Sequence, residues 1–190
     1  MKILVIGNHI NLLECRQKFG DKHIYEFIEN QHGATWQLAW PEVIFDFLSV
    51  DARAYTSFEG VVFINTSRIT LSVFMAQMDS KARFFGFIGL PTFINREVLE
   101  VSLLESSTFA ELQTVCDLLN TKFAVVADQV GMVTPRIICM IINEAYFTLE
   151  EGTATRDDID LAMKLGTNYP YGPFEWGERI GLKQVCGLLD

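Results

Sequence analysis

Lys2-Ile3-Leu4-Val5-Ile6-Gly7 opens the chain. Four consecutive apolar side chains show no alternation, so a strand built from them must be buried on both faces. That is the signature of a parallel sheet covered by helices. Gly7 permits a tight turn, and Asn11–Phe19 follows as a short helix. Working outward, further strand-like runs appear at Ile24–Ile28, Glu42–Leu48, Val61–Ile64, Phe84–Leu90, Val98–Leu104 and Phe123–Val126. Asn30–Ala34 is polar, contains a glycine and reads as a loop. Ser107–Leu119 repeats apolar residues at helical spacing. Strands separated by short helices or loops predict the α/β class.

Beyond Val126 the pattern becomes wholly helical. Thr134 is a possible cap with Pro135 in a first turn, and Ile138, Ile141, Ile142, Ala145 and Leu149 recur at three- and four-residue steps up to Gly152. Thr155-Arg156-Asp157-Asp158 has the form of a capping box opening a helix that Gly166 would close. Pro173 opens a third helix ending near Gly181, and Leu182–Leu189 reads as a fourth. The expected organisation is an α/β part over residues 1–121 and a helical part over residues 122–190.

The formal net charge of -9 disfavours nucleic acid and anionic membrane surfaces as partners. It equally means that an anionic ligand would need local cations or helix N-termini. The four cysteines, Cys15, Cys116, Cys139 and Cys186, have no metal-like spacing. They read as buried free thiols in a reducing compartment, with no metal site. No apolar run is long enough for a membrane span, and the first one is too short for a secretory signal. A cytoplasmic protein is expected.

Several motifs resemble the 3-hydroxyacyl-CoA dehydrogenase family. They are Asn65-Thr66-Ser67, Arg83-Phe84-Phe85-Gly86 running on to Leu99-Glu100-Val101, and Asp128-Gln129-Val130-Gly131 with Arg136 and Asn143-Glu144-Ala145. Asp157-Asp158-Ile159-Asp160, Met163-Lys164-Leu165-Gly166 and Asn168-Tyr169-Pro170-Tyr171-Gly172-Pro173-Phe174-Glu175-Trp176 complete the series. The last two are the most specific. The resemblance implies a shortened Rossmann-like parallel sheet followed by a small helical C-terminal domain of the kind that pairs two subunits. It also implies an acyl-CoA ligand and a truncated, divergent member of the family; no cofactor is expected, NAD being one only if the degenerate first loop still binds it.

The departures from the family pattern fall on its chemistry. Its phosphate loop is GxGxxG, where the second glycine admits the pyrophosphate and the third lets the helix pack on the sheet. Here those positions read Gly7, His9 and Leu12, so only the turn glycine is kept. Gly7 and His9 are the remaining cofactor-binding candidates, with Glu26 or Glu29 near the distance expected of a ribose-binding acid. The family's catalytic His aligns on Ile88 and its Glu on Glu100, while Ser67 is retained. An Asn-Pro pair after the His becomes Pro91-Thr92, and a substrate-binding Asn falls on Pro135. Ile88 cannot carry a proton, and losing a general base costs roughly 10²–10⁴ in rate. The expectation is a non-catalytic or severely impaired relative that binds acyl-CoA and dimerises, with Ser67 and Glu100 as retained catalytic positions. An active NAD-dependent oxidoreductase with an atypical site, and an interaction module using Tyr146, Phe147, Tyr169, Tyr171, Phe174 and Trp176 as a surface, stay open.

Overall fold

A computed structural model of the chain describes residues 1–29, 41–49, 52–76 and 80–189. The expected loop Asn30–Ala34 lies outside the described residues. The chain forms two compact units, Met1–Met132 and Val133–Asp190. The boundary expected at 121/122 falls just ahead of the last strand of the sheet.

The first unit is built on strands β1 (Lys2–Ile6), β2 (Ile24–Ile28), β3 (Val43–Asp46), β4 (Val61–Asn65), β5 (Arg83–Phe87), β6 (Val98–Ser102) and β7 (Lys122–Val125). They form one seven-stranded sheet in the order β2-β1-β3-β4-β5-β6-β7. All neighbours are parallel except β5 and β6, which run antiparallel. The sheet is therefore mixed rather than wholly parallel. The cause is the connection: residues 88–97 contain no helix, and a short link cannot make the crossover that a parallel neighbour needs.

Helix α1 (His9–Phe19) follows β1, α2 (Leu71–Met75) follows β4, and α3 (Phe109–Leu118) connects β6 to β7. Alternation of side chains divides the sheet into two buried faces. Ile3, Val5, Phe45, Phe63, Phe85 and Val101 pack on one, with Cys15, Phe19 and Leu112 from the helices. Leu4, Ile6, Ile44, Val62 and Ile64 pack on the other, with Tyr55 and Leu71. The register sets Phe45, Phe63 and Phe85 side by side on adjacent strands. The Phe45 and Phe63 rings stack at 4.7 Å between centroids, and the Phe63 and Phe85 rings meet tilted at 5.6 Å, burying large apolar area at each step.

The second unit comprises α4 (Thr134–Glu150), α5 (Arg156–Thr167), α6 (Pro173–Ile180) and α7 (Leu182–Leu189). Val133 rather than Thr134 occupies the cap of α4, and it makes no side-chain cap bond. The hydroxyl of Thr155 caps α5 by accepting the Asp158 amide at 3.3 Å. That helix ends on Asn168 with φ 56°, two residues beyond Gly166, because a short polar side chain tolerates the left-handed conformation.

Gly172-Pro173 has a specific long-range partner. The Asp160 carboxylate of α5 accepts the Phe174 amide at 2.8 Å and the Glu175 amide at 3.1 Å, so it caps α6 from the neighbouring helix. A Cβ at Gly172 would lie 2.3 Å from that carboxylate, which is why the motif requires glycine there. Phe174 and Trp176 are buried while Phe147 is exposed, so the six aromatics do not form one surface.

Candidate functional site

The turn from β1 into α1 occupies the C-terminal edge of the sheet beside the switch from β1 to β3, where α/β folds place their ligands. Helix α1 starts at His9, earlier than the sequence suggests, because Asn8 is its cap. Asn8 and Asn11 form a reciprocal pair. The Asn8 side chain accepts the Asn11 amide at 3.0 Å, and the Asn11 side chain accepts the Asn8 amide at 2.9 Å. Asn11 is buried, and its Oδ1 sits 2.5 Å from where a Cβ of Gly7 would be. Gly7 therefore serves the chain's own carboxamide. His9 is exposed, with its ring edge-to-face on Phe27 at 6.4 Å. Leu12 packs into the core against α1's own side of the sheet. Glu29 is exposed just past β2, whereas Glu26 lies mid-strand with Oε2 buried and unbonded.

Asn65 ties together the ends of three strands. Its Oδ1 accepts the Ser67 amide at 3.1 Å and the Gly89 amide at 2.9 Å. Its Nδ2 donates to the Phe47 carbonyl at 2.9 Å. A Cβ on Gly89 would meet Asn65 and Phe47 at 2.8 Å, so glycine is needed there too. Asp46, fully buried at the end of β3, accepts the Leu48 and Ser49 amides and the Tyr55 hydroxyl. Burial, and then that carboxylate, push the Tyr55 phenol far above its usual range. Ser67 is buried beside this knot, and its amide donates to Asn65.

The register of β5 against β6 pairs Gly86 with Ser102 and Phe87 with Val101. Ile88 follows the end of β5 by one residue, and the half-buried Glu100 lies on β6 next to Val101. Ile88 is itself buried, 4% exposed. After Pro91, Thr92 adopts φ 77°, an uncommon conformation for a β-branched residue. Its amide donates to Glu14 Oε1 of α1 at 2.8 Å. Pro135 lies in the second unit, buried in the first turn of α4.

In the second unit a groove of ≈ 480 Å³ runs between α4 and α5. It is lined by apolar groups such as Ile141, Ala145, Ala162 and Met163, with Glu144 and Asp158 among them.

Residues 131–189 match the model of the 3-hydroxyacyl-CoA dehydrogenase C-terminal domain. The 3-hydroxybutyryl-CoA dehydrogenase of Bradyrhizobium diazoefficiens is 34% identical over 135 residues, which is 70% of this chain and 46% of that protein. The 3-hydroxyadipyl-CoA dehydrogenase of Escherichia coli is 49% identical over 65 residues, 34% of this chain and 14% of that protein. The chain belongs to the 3-hydroxyacyl-CoA dehydrogenase family. In fold it is similar to the crystal structure of (S)-3-hydroxybutyryl-CoA dehydrogenase from Ralstonia eutropha, with a TM-score of 0.70 at 18% identity, covering 98% of this chain and 84% of that one. The chain spans about half the length of the relatives it matches most widely, 46% of the Bradyrhizobium protein.

A 3-hydroxyacyl-CoA dehydrogenase sheet with a glycine loop offers backbone amides at α1 to a pyrophosphate. The residues present here do not fit that group. Two of the amides at the head of α1 are already bonded by Asn8 and Asn11, His9 carries a Cβ where the backbone would approach, and Leu12 is committed to the core. Gly7, His9, Asn65, Ser67, Ile88 and Glu100 stand out in the sequence, whereas Asn8, Asn11 and Asp46 do not. Asn8-x-x-Asn11 is a legible capping pattern; the partners of Asn65 and Asp46 have no local signal.

Proposed function

We propose that this chain is a non-catalytic or severely impaired 3-hydroxyacyl-CoA dehydrogenase relative that holds an acyl-CoA and pairs through its helical unit. The observation that carries the first half is Ile88, a buried aliphatic side chain at the position on which the family's proton acceptor aligns. It cannot carry a proton, and the missing base costs roughly 10²–10⁴ in rate. The blocked head of α1 supports a chain that uses no dinucleotide. The Ser67 hydroxyl kept at the strand ends supports a polar ligand there, and the CoA thioesters in the names of the relatives supply its class. Pairing is supported by the α4–α5 groove and by apolar side chains left in solvent beside it, among them Met140, Phe147, Leu161 and Leu165. Four free thiols, three of them buried, fit a reducing compartment such as the cytoplasm.

NADH oxidation with acetoacetyl-CoA tests the catalytic half. Background rates are expected in wild type and in Glu100→Gln; a wild-type rate that Glu100→Gln abolishes would establish a working oxidoreductase instead. A thermal shift with acetoacetyl-CoA and none with adenosine is expected. No shift at millimolar thioester removes the ligand half. Sedimentation over a dilution series should show a dimer, and a monomer throughout removes the pairing half.

A further inference from the structure

We infer that α1 has exchanged a ligand-binding head for a clamp: its first turn is closed by its own side chains, and its middle turns fasten the segment between β5 and β6. The inference deepens the proposed function and rests on its reading that the chain uses no dinucleotide. Two independent sets of contacts carry it.

The first set is at the head of the helix. The amides of a free first turn point outward and attract an anion. Here the reciprocal Asn8–Asn11 bonds satisfy one amide just before the helix and one within its first turn. The Asn11 carboxamide is buried under Gly7, so a ligand could take its place only by forcing a buried polar group to leave both of its partners. The glycines at positions 9 and 12 of the family loop would leave room; His9 and Leu12 do not.

The second set lies one and two turns further on. Glu14 and Lys18 are four residues apart, so they leave the helix on the same face. Glu14 Oε1 accepts the Thr92 amide at 2.8 Å. Lys18 Nζ donates to the Arg96 carbonyl and, at 3.1 Å, to the Glu97 carbonyl. These contacts join residues 78 and 79 positions apart and grip the middle and the far end of one loop. The loop needs a grip. Thr92 is held at φ 77°, and such a conformation persists only where its surroundings enforce it. Glu14 Oε2 is buried without a partner, and burial raises the Glu14 pKa above its ordinary value. A carboxyl kept in so unfavourable a place is serving the loop rather than solvent. The segment it fixes begins with Ile88 and leads into the strand that carries Glu100, so the clamp sets the spacing of those two positions.

The experiment uses the full chain and two probes. NADH and ADP-ribose are titrated against wild type by fluorescence and calorimetry. No saturable binding up to about 1 mM is expected, and saturable binding below that overturns the closed head. Hydrogen exchange of the peptide covering residues 88–98 is then compared in wild type, Glu14→Ala and Lys18→Met. Exchange in that peptide should rise about tenfold or more in each variant while the peptides of β1, β3 and β4 keep their protection. Unchanged exchange in either folded variant overturns the clamp. Lys18→Met keeps the aliphatic stem, so it reads the clamp even if Glu14→Ala does not fold. Binding of acetoacetyl-CoA is scored separately, so loss of the clamp and loss of the ligand reading are distinct results.

Discussion

Replacing Gly172 by alanine isolates the contact that makes the Gly-Pro motif of the helical unit what it is. Gly172 has φ -73° and ψ 163°, which alanine adopts without strain, so any cost comes from the added methyl alone. That methyl would start 2.3 Å from Asp160 Cγ and Oδ1 and 2.4 Å from its Cβ. Reaching ordinary contact requires the carboxylate to retreat by about 1 Å. It cannot do so and still accept the Phe174 and Glu175 amides at 2.8 and 3.1 Å. Two charge-assisted bonds at a helix N-terminus are worth about 2–3 kcal/mol together. Alanine returns about 0.5–1 kcal/mol by restricting the unfolded chain. The net expectation is a loss of about 2 kcal/mol, a roughly thirtyfold fall in the folding equilibrium of the unit. Urea unfolding in a Trp36→Phe, Trp40→Phe background leaves Trp176 as the sole tryptophan and reporter. Gly166→Ala is the matched control. Nothing lies within 4 Å of a Cβ there and the residue is helical, so it should stabilise by a few tenths to about 1 kcal/mol. If Gly172→Ala is as stable as wild type while Asp160→Ala loses more than about 1 kcal/mol, the steric reasoning is wrong.

Asn65→Ala removes three hydrogen bonds and leaves the Ser67 and Gly89 amides and the Phe47 carbonyl without that partner. A loss of about 2–4 kcal/mol in chemical denaturation is expected, with Asn65→Asp recovering part of it because both amides regain an acceptor. His23 is buried, and its pKa is lowered from 6.5, chiefly by burial. Between 6.5 and the lower folded value the unfolded chain binds a proton that the folded chain refuses, so stability falls as pH drops through that window. A Tm series from pH 8 to pH 5 should show this slope, and His23→Phe should flatten it; equal slopes would refute it.

Much of the fold is legible because burial leaves a local trace. Ile3-Leu4-Val5-Ile6 admits no exposed face, and Ile138, Ile142 and Ala145 keep a helical period, so strand and helix follow from neighbours in the chain. The reversal at β6 is less legible: Val98–Ser102 has the composition of a strand of either direction, and its direction depends on the short, helix-free link before it. Ile88 aligns on the family's base position from sequence, but its burial just past the end of β5 is set by the tertiary structure.

Residue type and spacing alone determined that this chain is α/β then helical; the resemblance to the family added that His9 and Leu12 align on two glycines of its first loop and Ile88 on its imidazole. Tertiary structure alone decided what the surviving residues do. Gly7 shelters Asn11, Gly172 makes room for Asp160, and Glu14 holds the amide of Thr92. Side-chain periodicity reports only whether a residue meets water or core, whereas a hydrogen bond between positions 14 and 92 exists only once sheet and helix have brought them together.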